Sequence, residues 1–164
     1  MRNHTHIHDA LNQAAFFEIK DRKRWMGILA RASFEDMERF WSPYKDHTTY
    51  EILRQPEYGL TMVRGRAGGT GQQFNLGEMS ITRCSIKLEG GLVGHAYIAG
   101  RNRKHAEFAA VFDALLQSPA HHDAIQSEIL SPLANTHLEK LELRSKKASS
   151  TKVDFYTMVR GEDE

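Results

Sequence analysis

Residues 58–100 read YGLTMVRGRAGGTGQQFNLGEMSITRCSIKLEGGLVGHAYIAG. Three strand-like runs lie in this stretch, separated by two glycine-rich breaks. The first run covers about Gly59 to Arg64, the second Gly77 to Leu88 and the third Leu92 to Ala99. Glu89, Gly90 and Gly91 leave room only for a tight connection, so the second and third runs should pair antiparallel. In the second run Met79 and Ile81 share one phase, whereas Cys84, Ile86 and Leu88 share the other. A β-bulge near Thr82–Arg83 would produce that change.

The flanking sequence reads mainly as helix. From Asp9 to Ala32 the pattern is helical, and Trp25, Ile28, Leu29 and Ala32 form one apolar face. The charge run Asp21, Arg22, Lys23 and Arg24 reads as a solvated face or a partner-facing ridge. Ser33 with Asp36 resembles a capping box, so a short helix starts there with Phe34, Met37 and Trp41 on one side. Pro43 ends it, and Tyr44 to Glu57 reads as irregular or partly extended, with Pro56 as a second stop. After the sheet, Asn102 offers an N-cap. His105, Phe108, Ala109, Phe112, Leu115 and Leu116 follow at helical spacing, a face suited to the sheet. Ser118-Pro119 restarts a helix with Ile125, Ile129 and Leu133 inward, and Pro132 kinks or interrupts it. Residues 145–152, SKKASSTK, read as a polar linker. Val153 to Val159 alternates as a last strand, returning to the sheet. The expected fold is α+β, an antiparallel sheet of about four strands with helices packed on one face. Residues 1–8 form a flexible arm and 9–164 a single domain.

Composition bounds the function. The length of 164 residues suits one core. A formal net charge of +1 argues against general nucleic-acid binding, so any anion site must be local. The lone Cys84 cannot form an intrachain disulfide. MRNHTHIHDALNQ at the N-terminus has no apolar core of the kind a secretory signal needs, and no run has the length of a membrane span. These features predict a cytoplasmic protein without membrane partners.

The segment Gly65 to Gly71, GRAGGTG, is the candidate for chemistry. Glycines let backbone amides converge on an anion, and Arg64 and Arg66 supply guanidinium groups. From the residues alone the segment is an anion cradle or a flexible glycine connection without a ligand, the second being the commoner outcome for such a pattern. The arginines are read as projecting apart unless Gly65 turns the chain between them. The loop lacks the Gly-Lys-Ser/Thr of a Walker motif and the following helix of a dinucleotide fingerprint. TMVRG recurs at Thr61–Gly65 and Thr157–Gly161, which would place Arg64 and Arg160 at comparable strand ends. Gly68, Gly69, Gly71, Arg83 and Arg101 complete the anion- or partner-binding set. Cys84 and His95 invite a nucleophile reading. Against it, a lone cysteine in an alternating strand is more commonly a buried small hydrophobe. His95 is a candidate proton carrier, though both it and His105 are more simply read as hydrogen-bonded core histidines. His4, His6 and His8 alternate but have no carboxylate or thiolate beside them at ligand spacing, so no metal site is assigned.

Three blocks carry a family resemblance: MVRGRAGGTGQQFNLGEMSITRCSIKL, GHAYIAGRNRKHAEFAAVFDALLQ and KVDFYTMVRGE. Together with Arg24-Trp25-Met26 they resemble the PhnG subunit family of the bacterial carbon–phosphorus lyase core complex, over roughly Arg24 to Glu162. The resemblance implies a hetero-oligomer with H, I and J subunits in phosphonate catabolism. With the I and H subunits and the L protein, such chains support displacement of adenine from ATP by methylphosphonate. The product is α-D-ribose 1-methylphosphonate 5-triphosphate. It implies no independent activity, no catalytic residue and no cofactor in this chain, ATP and methylphosphonate being substrates of the complex. A single cysteine also falls short of the thiolate set of an iron–sulfur cluster. The alternatives are a free-standing small anion-binding module and a Cys/His enzyme.

Overall fold

The computed structural model describes residues 19–150. In chain order these form α1 (Ile19–Arg31), α2 (Phe34–Trp41), β1 (Tyr50–Arg66), β2 (Gln73–Leu88), β3 (Val93–Ala99) and α3 (Arg103–Leu115). Then come α4 (Pro119–Ile125), a π-helical turn (Gln126–Leu130) and α5 (Ser131–Ser150). The three strands make one antiparallel sheet in the order β1-β2-β3. The fold is α+β, with helices on one face. The expected fourth strand, Val153–Val159, the arm of residues 1–8 and the start of the first helix lie outside the described residues.

Local chemistry accounts for most of these elements. Ser33 caps α2, its Oγ accepting the Asp36 amide at 3.1 Å and donating to the Asp36 carboxylate at 2.8 Å. The Asn102 side chain caps α3 by accepting the His105 amide at 2.9 Å. One face of the sheet presents Thr82, Cys84, Ile86 and Leu88 from β2 and Ala96 and Ile98 from β3. Against it α3 lays Ala106, Ala109, Ala110 and Phe112, while Trp25, Leu29, Met37 and Trp41 close the core from α1 and α2. Ile125, Ile129 and Leu133 turn inward as their spacing predicts.

Gly94 sets the distance between layers. A Cβ there would overlap the Ala110 carbonyl oxygen and lie 2.8 Å from the Ala114 amide nitrogen. The backbone of α3 therefore rests directly on β3, which only glycine permits.

Several elements differ from the sequence expectation. The first strand is much longer than Gly59–Arg64, starting at Tyr50 and running through Arg66. Pro56 does not stop it, because β1 is an edge strand and the register slips between Arg54 and Glu57. β2 itself does not bulge near Thr82–Arg83, for it pairs with β3 without interruption from Ile81 to Lys87, and the register shift beside Arg83 lies in β1. The shifts lie between Ile52 and Arg54, Arg54 and Glu57, and Val63 and Arg64. Thr82 continues the phase of Cys84, Ile86 and Leu88. Met79 and Ile81 are out of phase because the helical layer ends there and the strands run on past it. The polar residues 145–150 are helix, not linker, for Lys146, Lys147 and Ala148 favour helix and neither proline nor glycine interrupts them. Pro132 interrupts as expected. The turn before it widens to π, with the Ser131 amide bonded to the Gln126 carbonyl five residues back.

Candidate functional site

The β1–β2 connection is the tip of a ribbon. Among the described residues β3 reaches only as far as Ile81, so Leu60–Arg66 and Gln73–Ser80 stand clear of the three-stranded sheet as a two-stranded arm. Gly68 and Gly69 turn the tip at φ of 59° and 78°, values that suit glycine. The Gly71 amide closes on the Ala67 carbonyl at 2.9 Å, and the Arg66 guanidinium donates to the Gly71 carbonyl at 3.2 Å. Part of the loop's polar capacity is therefore spent within the loop.

Arg64 and Arg66 lie on one face of the arm without any turn at Gly65. Gly65 stays in the strand opposite Phe74, and residues two apart on a strand share a face. The reading that they diverge is thus corrected. Arg83 and Arg101 do not join them. Arg83 lies eight residues along β2 from Asn75, the partner of Arg64, or about 25 Å at strand rise. It is held by Glu57, Nε to Oε1 at 2.8 Å, with Arg54 on the same carboxylate at 3.4 Å. Arg101 follows Gly100, which bonds Ser80, about 17 Å from Asn75 by the same rise. Arg160 and the second TMVRG lie outside the described residues. Among the described arginines of the predicted set, Arg83 and Arg101 therefore occupy separate stations along the sheet, and Arg64 and Arg66 stand together at the tip.

Cys84 and His95 do not form a pair. Cys84 stands opposite Ala96, and His95 stands opposite Ser85, so the two side chains project from opposite faces of the sheet. Cys84 is 1% exposed and donates to the Arg54 carbonyl at 3.5 Å. Burial, and secondarily the Glu107 carboxylate, push its thiol from 9.0 up to about 11, which keeps it protonated at neutral pH. The same carboxylate accepts from the Tyr50 hydroxyl at 2.7 Å, and burial together with this bond raises the Tyr50 pKa. His95 is not a core histidine. It is exposed on the open face, its Nδ1 2.8 Å from Ser85 Oγ. His105 is one, 5% exposed with Nε2 donating to the Leu29 carbonyl at 2.9 Å. Burial holds its pKa below 6.5, so it stays neutral.

Sequence reasoning missed Asp113. It is fully buried on α3, and its carboxylate accepts from Arg22 (2.7 and 3.2 Å), the Trp25 indole (2.8 Å) and the His95 amide (2.8 Å). Arg22 and Gln117 meanwhile donate to the Val93 carbonyl. Outward backbone groups of β3 are thereby covered from the helical layer. One signal was available: a lone acid amid apolar neighbours, FDALL, must find donors if buried. Arg22 thus turns inward, out of a charge run read as wholly external.

The surface carries a second feature not anticipated. On the core-side face of the arm Leu60 and Met62 are exposed at 63% and 48%. On its other face Phe74 and Leu76 are exposed at 46% and 66%, their side chains flanking Gly65. Among the described residues no three His, Cys, Asp or Glu side chains come together as metal ligands. No described helix is long and apolar enough to cross a membrane.

Comparison with known proteins relates the chain to a family and to a curated relative. The family model described as phosphonate metabolism protein PhnG matches residues 20–161. A curated protein of Rhizobium meliloti (strain 1021), alpha-D-ribose 1-methylphosphonate 5-triphosphate synthase subunit PhnG, is 40% identical over 148 residues. That alignment covers 88% of this chain and 92% of the relative.

Proposed function

The chain belongs to the PhnG family of phosphonate metabolism proteins, and on that premise we propose that it is an accessory, non-catalytic subunit of a synthase making α-D-ribose 1-methylphosphonate 5-triphosphate. In this reading it works in the cytoplasm within the carbon–phosphorus lyase core complex, beside H, I and J subunits and functionally with the L protein. Its assembly supports a displacement at the ribose of ATP. A phosphonate oxygen forms a bond to C1′ while the bond to adenine N9 breaks, and adenine leaves with the electron pair. The chain brings no cofactor of its own to that step.

The observation that carries this reading is the near end-to-end match to a protein named as a subunit of that synthase. The geometry agrees. A protonated, buried Cys84 on the far side of the sheet from His95 supports neither nucleophile activation nor proton relay between them. The exposed apolar arm suits a chain that works inside an assembly.

Reconstitution tests it. The H and I subunits and the L protein, given ATP and methylphosphonate, should release adenine when this chain is added and fail without it. The chain alone should release none. Adenine release by the isolated chain, or full turnover in its absence, would overturn the proposal.

A further inference from the structure

The arm formed by Leu60–Arg66 and Gln73–Ser80 is poorly explained as part of a free monomer. An isolated two-stranded ribbon is at best marginally stable in water. Here it continues past the helical layer with large apolar side chains on both faces. A flat interface would cover one face and leave the other wet. The occupant must therefore grip the ribbon from both sides.

The charge pattern narrows the occupant further. Along the core-side face Leu60 and Met62 are followed by Arg64 and Arg66 at the tip, whereas Phe74, Leu76 and Met79 lie on the other face. Glu78 is the sole acid between Tyr58 and Ser80. A complementary surface is apolar along both walls and carries carboxylates where one wall meets the tip. The lower part of β1 is poorly suited to the same role. Its register slips at Leu53 and around Pro56 interrupt any regular pairing of a further strand there.

We infer that the β1–β2 arm is the docking element of this chain, inserted into a cleft of another synthase subunit that is apolar on both walls and acidic at the end receiving Arg64 and Arg66. The inference rests on the proposed function, and it assigns the contact to one surface of the chain. Packing on Phe74 and Leu76 supplies most of the affinity, and the two arginines set orientation and salt dependence.

The test uses the full-length chain and the purified H, I and J subunits as probe. Wild type and the variants Phe74→Asp, Leu76→Asp and the pair Arg64→Glu/Arg66→Glu are titrated against the probe at two salt concentrations. Leu138→Asp on the exposed face of α5 is the control. Circular dichroism and thermal melting confirm that each variant keeps the core, whose side chains none of them touches. The apolar variants should weaken binding by about a hundredfold, the size expected of central interface residues. The charge-reversed pair should weaken it more at low salt than at high salt. The control should bind as wild type does. Equal binding by wild type and all arm variants would overturn the inference and leave the proposed function standing. Failure of wild type itself to bind would overturn both. Two further outcomes would overturn the inference alone. One is a dimer of this chain that the arm variants abolish while binding to the probe is unchanged. The other is normal assembly by the arginine variants with a raised KM for ATP, which would place a triphosphate at the tip.

Discussion

Replacing Asp113 by Asn should destabilise this protein through hydrogen bonding alone. The side chain keeps its shape, so no cavity opens. Its acceptors change: the carboxylate receives two N–H bonds from Arg22 and one each from the Trp25 indole and the His95 amide, and it is fully buried. An asparagine retains one acceptor oxygen and turns two N–H groups toward donors that already point inward. Arg22 is 35% exposed and regains part of its loss from water. The His95 amide, held inside, does not. Each buried donor left without its acceptor costs about 1–3 kcal/mol, so the substitution should cost about 2–4 kcal/mol in all. A urea titration followed by the fluorescence of Trp25 and Trp41 reads this as a midpoint lowered by roughly 1–2 M. Hydrogen exchange at the His95 amide should accelerate beyond the global change. A variant within about 0.5 kcal/mol of wild type, with the His95 amide still protected, would refute the claim that this carboxylate ties α1, α3 and the β3 edge together.

Gly94→Ala should destabilise by about 2–4 kcal/mol, because the added methyl collides with the Ala110 carbonyl and forces α3 off the sheet; thermal melting checks this. Cys84→Ala should cost about 1–2 kcal/mol through a small void and leave turnover of the assembled complex unchanged, as adenine release would show. In the native protein the Cys84 thiol should resist a thiol reagent at pH 8 until denaturant is added. Since its folded pKa is raised from 9.0 to about 11, its contribution to stability is complete below pH 9 and is lost as pH rises through 11. His105 acts in the opposite direction. Its folded pKa is held below 6.5, so its contribution is complete above pH 6.5 and is lost as pH falls through the lower folded value; a His105→Gln variant should flatten that part of a stability–pH profile.

The sequence was most legible where one residue decides a local conformation. Ser33 and Asn102 marked helix starts, Gly90-Gly91 joined two antiparallel strands, and Ser118-Pro119 with Ile125, Ile129 and Leu133 placed the next helix. Cys84, in phase with Ile86 and Leu88, pointed inward as that phase requires. What escaped depended on where the layers end. Apolar alternation reports a covered face, and Met79 and Ile81 broke the pattern because cover runs out, not because the chain bulges. Pro56 looked like a stop because nothing local says that β1 is an edge strand. Asp113 was invisible as a site because its donors come from 18 to 91 residues away in sequence. The glycine loop was legible as a turn with arginines beside it. That Arg83 and Arg101 stand far from those arginines follows from strand length, which motif spacing does not carry.

The most direct measurement is recovery of a tagged chain from cells grown with methylphosphonate as the phosphorus source, followed by native mass spectrometry. A stable complex containing the H, I and J subunits in fixed stoichiometry is the expected result. Recovery of the chain alone, from cells that produce all of these subunits, would contradict it.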